Sequence, residues 1–191
     1  MNENKTDQEL VALYFSGDES ALKFLIDRHI KAVYNFVSRF TGANDETDDV
    51  VQETFLKAWK NLKKFRGDGN FKTWLFAIGR NAAIDFLRKK KHAAFSSFET
   101  ESGNALTDTL ADPAPLSEEL FALAENGKIL ERALAVLAPA YREVMLLRYQ
   151  NDFTFDEIGK ILGKPLDTVK SQHRRALIAL RKILQNENQL L

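Results

Sequence analysis

The sequence predicts an all-α protein: two small helical domains joined by a flexible acidic linker, the C-terminal one containing a helix-turn-helix. Three observations carry that reading. Apolar residues recur at intervals of three and four, and no sustained alternation argues for a sheet. Residues 93–127 hold seven acids and no Lys or Arg, interspersed with Ser, Gly and Pro, and lack any periodicity over 93–115. The flanking stretches 1–92 and 128–191 carry +3 and +4, so the formal net charge of zero conceals two mildly basic lobes. The domains are accordingly drawn at 1–92 and 116–191, with 93–115 as linker.

Thr6-Asp7-Gln8-Glu9 has capping-box spacing and Gly17 stands where a helix C-terminal cap belongs, which defines a short first helix. From Asp18 to Thr41 a longer helix aligns Leu22, Leu25, Ile26, Ile30, Val33, Phe36, Val37 and Phe40 along one side. His29 lies on it alone. With no second His or Cys at metal spacing, a surface or boundary position is expected for it.

The third helix, Asn44 to about Lys64, changes character along its length. Asp45, Glu46, Asp48, Asp49 and Glu53 come without a base among them, whereas residues 57–91 hold eleven bases against Asp68 and Asp85. One end suits a basic protein partner and the other a polyanion. At about 100° per residue, Val50, Val51, Phe55, Ala58, Trp59, Leu62 and Phe65 should face the core, opposite Asp45, Asp49, Gln52, Glu53, Leu56 and Lys60. Acids in a first turn complement the helix dipole by about 0.3–1 kcal/mol each, which accounts for the charges. It does not account for Leu56, which fits either a contact patch or an ordinary exposed leucine.

Lys63 to Asn70 reads as a turn, with Asn70 able to cap the next helix. Its glycines match neither phosphate-binding loop pattern. The fourth helix, Phe71 to about Lys91, has a core stripe of Phe71, Leu75, Ile78, Ala82 and Phe86. Trp74, Phe76, Ile84 and Leu87 spread apolar surface nearly all round it, and Asn81, Asp85 and Arg88 form a polar ridge. Bases interleaved with aromatics suit a grip on phosphates and unstacked nucleobases; a central buried helix would carry the same pattern. The acidic linker fits either a solvated tether or a polyanion able to occupy a basic groove.

Leu116 to Leu137 resumes helical periodicity, and Pro139 opens a helix through Tyr149. Thr154-Phe155-Asp156-Glu157 repeats the capping-box spacing and starts a two-turn helix that ends at Gly163-Lys164-Pro165, after which a longer helix runs from Leu166 to about Asn186. This is a helix-turn-helix. Leu166, Val169, Ala176, Leu177, Leu180 and Leu184 share the inner side of the second helix. Thr168, Ser171, Arg174, Arg175, Ile178 and Lys182 face away, as a helix reading a major groove requires.

Three motifs together carry a family resemblance. Residues 48–59 (DDVVQETFLKAW), Phe71 to Arg88 with Trp74-Leu75 and Ile78-Gly79-Arg80-Asn81, and Glu157 to Pro165 followed by Thr168-Val169-Lys170-Ser171 closely resemble the extracytoplasmic-function (ECF) group of bacterial sigma factors. The match covers about residues 7–92 and 117–185, in the family's order. It implies an initiation subunit, without catalytic activity or cofactor, whose partners are core RNA polymerase (β′ and β subunits), promoter DNA and an anti-sigma factor. By that resemblance Asp48, Asp49, Gln52, Glu53 and Leu56 would dock on the clamp coiled coil of β′. Arg66, Lys72, Arg80, Asn81, Asp85 and Arg88 would recognise the minus-ten element, and Thr168, Lys170, Ser171, Arg174 and Arg175 the minus-thirty-five element. Three positions depart from the family's usual residues: Gly79 and Gly159 stand where alanine is common, and His173 where leucine or isoleucine is.

Composition narrows the alternatives. The absence of cysteine excludes disulfides and thiolate metal sites. No apolar run approaches the roughly 20 residues of a helical membrane span, and the polar start is no signal peptide, so a cytoplasmic protein without direct membrane insertion is expected. The rival class is an autonomous helix-turn-helix regulator, which would be expected to dimerise; no heptad zipper is present. A nuclease is weaker still, since the crowded carboxylates Asp45, Asp48 and Asp49 have no matching histidine or second acidic cluster.

Overall fold

The computed structural model describes residues 4–42, 45–65, 69–95 and 127–188. Arg66, Asn44, the linker residues from 96 onward and the predicted helical start at Leu116 lie outside them.

Among the described residues the chain is helical. In the N-terminal lobe α1 spans Asp7–Phe15, α2 Glu19–Thr41, α3 Thr47–Asn61 and α4 Phe71–Phe95. Thr6 and Glu9 close the predicted capping box at α1, and Asp18 caps α2 by accepting from the Ser20 amide at 3.0 Å. Gly42, at φ 91°, ends α2 in the left-handed conformation that only glycine adopts without a steric penalty. A 3-10 turn, Leu62–Lys64, closes α3. Asn70 caps α4 as its sequence position suggests, its Oδ1 accepting from the Thr73 amide at 3.2 Å.

The buried side of α2 is a row at four-residue spacing, Ala21, Leu25, His29, Val33 and Val37, flanked by Phe36 and Phe40. His29 is therefore not a surface histidine. It is buried, with Nε2 2.7 Å from Asp7 Oδ2 and its ring 5.6 Å from Phe71, so it ties α1 to α2 beneath α4. Burial pushes the Asp7 carboxyl up. Hydrogen bonds and charge from His29 and Arg28 outweigh that and hold it below its ordinary value.

In the C-terminal lobe α5 spans Gly127–Val136, α6 Pro139–Met145 continuing in a π-type turn Leu146–Gln150, α7 Phe155–Leu162 and α8 Leu166–Asn188. The Arg142 guanidinium caps the end of α5 by donating to the carbonyls of Leu134 at 2.9 Å, Leu137 at 3.2 Å, and Ala135. Thr154 and Glu157 form the second capping box, and Gly163 at φ 64° makes the turn between α7 and α8. Ala133, Leu137, Met145, Ala176, Leu177, Leu180 and Leu184 pack α5, α6 and α8 together. Leu166, expected on the inner side, is 40% exposed and borders an open surface hollow with Asp156 and Lys160 of α7, whereas Val169 is fully buried.

The two lobes pack on each other. Val144, Leu147, Phe153, Ile158 and Ile161 are continuous with the core of the N-terminal lobe through α2 and α4. Burying each of the larger of these side chains stabilises the packed arrangement by about 1.5–3 kcal/mol.

Candidate functional site

A second apolar row runs along α2. Leu22, Ile26, Ile30 and Tyr34, again four apart, meet Val51, Phe55, Leu56 and Trp59 of α3 across an open groove of about 640 Å³. Ile30, Tyr34, Leu56 and Trp59 are all exposed large hydrophobics. One sequence expectation is corrected here and another refined. Trp59 does not face the core; it is 51% exposed and donates from Nε1 to the Tyr14 hydroxyl at 2.7 Å, which anchors it to α1, and the single apolar side expected for α2 divides, leaving Ile30 exposed on the groove. The wheel placed Trp59 inward because it lies within the apolar half of α3, but at the edge of that half.

Asp48, Asp49 and Gln52 rim the same groove. All three are exposed, and among the described residues no hydrogen bond or ion pair engages the side chains of the two aspartates. Glu53, predicted alongside them, is turned aside. It is half-buried and pairs with Lys57 at 2.8 Å, and Lys57 also lies 4.0 Å from Asp85 on α4. An acid-rimmed apolar groove can seat a helical partner that brings aliphatic side chains for the floor and Lys or Arg for the rim.

On α4 the predicted residues divide. Asn81 and Arg88 are exposed, and Asp85 is half-buried and bonded to Arg88 at 3.1 Å. Lys72 and Arg80 are covered by the C-terminal lobe: the Lys72 ammonium donates to the Asn151 carbonyl at 2.6 Å and the Arg80 guanidinium pairs with Glu143. Arg66 lies outside the described residues. Sequence reasoning did not single out Glu143, Asn151 or Phe153 as partners for α4, because no local pattern marks a residue that meets another lobe.

On α8, Thr168, Lys170, Ser171, Arg174 and Arg175 are all exposed, while Val169 and Ala176 are fully buried against the lobe. His173, whose packing the sequence left open, lies between two aromatics. Its Nε2 is 2.9 Å from the Tyr149 hydroxyl, and its ring meets Phe155 edge-on with centroids 4.9 Å apart. Burial lowers the His173 imidazole from its ordinary value of 6.5, and the neighbouring Arg148 charge acts in the same direction.

Residues 25–93 match the family described as Sigma-70 region 2, and residues 127–180 match Sigma-70, region 4. A grooved helical lobe coupled to a helix-turn-helix lobe thus defines a sigma-type transcription-initiation subunit, not an enzyme. The chain is 31% identical over 172 residues to the ECF RNA polymerase sigma factor SigW of Bacillus subtilis (strain 168), covering 89% of this chain and 92% of that protein. It is 35% identical over 187 residues to the ECF RNA polymerase sigma-E factor of Escherichia coli (strain K12), covering 94% and 95% respectively. The sigma factor RpoE from Bartonella quintana, solved in complex with the anti-sigma factor NepR, is 25% identical and superposes with a TM-score of 0.66, covering 85% of this chain and 96% of that one. The chain belongs to the ECF RNA polymerase sigma factors. No helix among the described residues is long and apolar enough to cross a membrane.

Proposed function

We propose that this sigma factor docks on core RNA polymerase through the groove between α2 and α3, and that its two basic surfaces then select the promoter. The observation that carries the reading is the conjunction of exposed Leu56, Ile30, Tyr34 and Trp59 with Asp48 and Asp49, unpaired among the described residues, on one groove. Exposing that apolar area is unfavourable unless a partner covers it. The partner is the clamp coiled coil of β′, with Asp48, Asp49, Gln52 and Leu56 in the contact; Glu53 contributes from its edge.

The fourth helix engages the minus-ten element through Lys72, Arg80, Asn81, Asp85 and Arg88, with Arg66 before it. Opening DNA costs a few kcal/mol per unstacked step, which polymerase contacts and the cationic surface offset. The exposed face of α8, through Thr168, Lys170, Ser171, Arg174 and Arg175, reads the minus-thirty-five element as duplex. An anti-sigma factor covers these surfaces until it is released, and the protein works in the cytoplasm. The test is co-elution of the full chain with core polymerase, followed by selection of genomic fragments by the reconstituted holoenzyme. Initiation on selected fragments that core alone ignores supports the reading; failure to associate with core overturns it.

A further inference from the structure

Gln172 has its hydrogen-bonding direction set before any DNA arrives. It stands one helical turn after Thr168 and one before Arg175, about 40° and about 60° from them round α8, so it flanks the strip that those two exposed residues present. The side chain is half-buried, and its Oε1 accepts from the Lys164 ammonium at 3.2 Å. Lys164 is itself pinned at the backbone. Its amide donates to the Gly159 carbonyl at 2.9 Å, its carbonyl oxygen lies 2.9 Å from where a Gly159 β-carbon would stand, and Pro165 follows with its restricted φ. Asp156, on the same hollow, is taken by Lys160 at 2.6 Å, and the Lys164 side chain reaches α8 instead.

An ammonium can only donate. The atom turned to Lys164 must therefore be the amide oxygen, and the NH2 group is the end left for a major groove. A glutamine reads adenine by accepting from N6 with its oxygen while its nitrogen donates to N7. Here the oxygen is already engaged, and the positive charge beside it opposes the approach of the adenine amino hydrogens. Guanine offers two acceptors on the same edge, N7 and O6, and both suit an NH2 group with a cation behind it. We propose that Gln172 is a specificity-determining residue for the upstream element, selecting guanine over adenine at one position, and that Lys164 is the positioning residue that presents it as a donor only. The proposal rests on the assignment of α8 to minus-thirty-five duplex.

Holoenzyme reconstituted from core RNA polymerase and the full chain tests this by selection from a promoter library randomised at the minus-thirty-five element, with binding titrations of selected fragments at several salt concentrations. The parent should favour guanine over adenine about tenfold or more at one position, and Gln172→Ala should bring that ratio close to parity while the other positions keep theirs. Gln172→Glu, which keeps the bond to Lys164 but has no hydrogen to donate, should lose guanine at the same position. Lys164→Met frees Oε1 and removes the charge, so the ratio should fall at least about fivefold there, with adenine gaining. Lys164→Arg, which still only donates, should restore the parent ratio. A merely structural role for either residue would weaken all sequences alike and move no ratio. An unchanged ratio in Gln172→Ala or in Gln172→Glu overturns the proposal. So does a Lys164→Met holoenzyme that keeps the parent ratio, or that loses affinity uniformly with a salt slope lower by about one, which would place Lys164 on phosphate. A parent holoenzyme without preference at any upstream position refutes the assignment of α8 to the minus-thirty-five element, and the role of Gln172 with it.

Discussion

A β-carbon built on Gly159 would stand 2.9 Å from the carbonyl oxygen of Lys164, closer than real β-carbons approach backbone. The Lys164 amide donates to the Gly159 carbonyl, also at 2.9 Å, so the turn between α7 and α8 folds directly back over this glycine. Alanine in an open helix gains about 0.5–1 kcal/mol over glycine, but forcing a methyl against fixed backbone costs about 1–3 kcal/mol. Gly159→Ala should therefore lower stability, by up to about 2 kcal/mol after the propensity gain. Thermal unfolding of the variant decides this; a raised midpoint would refute the close approach.

Gly159 also shows where sequence reading stops. Its position in the motif was legible, and so was its cost to the helix, but not the carbonyl it accommodates. Helices α1, α2 and α7 were legible because capping boxes and terminal glycines are local signals. The groove was half legible: Leu56 stood out as unexplained, but its partners on α2 were absorbed into one broad apolar side. The four-residue spacing separates two rows there, Ala21-Leu25-His29-Val33 facing in and Leu22-Ile26-Ile30-Tyr34 facing the groove. That same spacing places His29 in the buried row. Contacts of Lys72 and Arg80 with the other lobe were not legible, since their partners lie 63 or more residues away in sequence.

The Asp7–His29 pair gives a second prediction. Asp7→Ala removes the partner of a buried imidazole and of Arg28, and leaving a buried polar group unsatisfied costs about 1–3 kcal/mol. Chemical denaturation should show that loss; Asp7→Asn, which keeps one acceptor, should lose less.

At the docking groove, Asp49→Lys and Leu56→Glu should each weaken association with core polymerase at least about tenfold, equivalent to about 1.4 kcal/mol. Both residues are exposed, so Leu56→Glu should leave folding stability within about 0.5 kcal/mol of the parent, whereas Asp49→Lys, which reverses a charge in the first turn of α3, should lose about 0.5–2 kcal/mol to the helix dipole. Competition for core against the unaltered chain measures the first quantity and unfolding the second. Undiminished competition would remove the groove from the interface.

Arg174 is exposed on α8. Arg174→Ala should cost about 1–3 kcal/mol in binding to a selected upstream element if the side chain reads a base, with relaxed preference at one position. If it meets phosphate instead, the loss is uniform across sequences and the salt slope falls by about one. Binding titrations at several salt concentrations separate the two, and a variant with unaltered affinity and slope would exclude Arg174 from the DNA face.

His173 makes the helix-turn-helix lobe sensitive to pH. Tyr149 and Phe155 enclose its ring, burial lowers its affinity for a proton below the ordinary 6.5, and Arg148 adds to the effect. Because the unfolded chain then binds the proton more tightly than the folded one, stability is full above about 6.5 and is lost as pH falls through the lower folded value. Asp7 titrates from an ordinary 3.8 downward and Glu157 from 4.5 downward, both held low by their hydrogen bonds against burial, so their losses come at more acidic pH. His173→Leu removes the titrating group and keeps an apolar contact for Phe155. Unfolding midpoints measured from about pH 7 into the acid range should fall for the parent chain before those carboxylates protonate, and the difference between parent and His173→Leu should change across that interval. Parallel curves would mean that the imidazole carries its proton as readily in the folded lobe as in the unfolded chain.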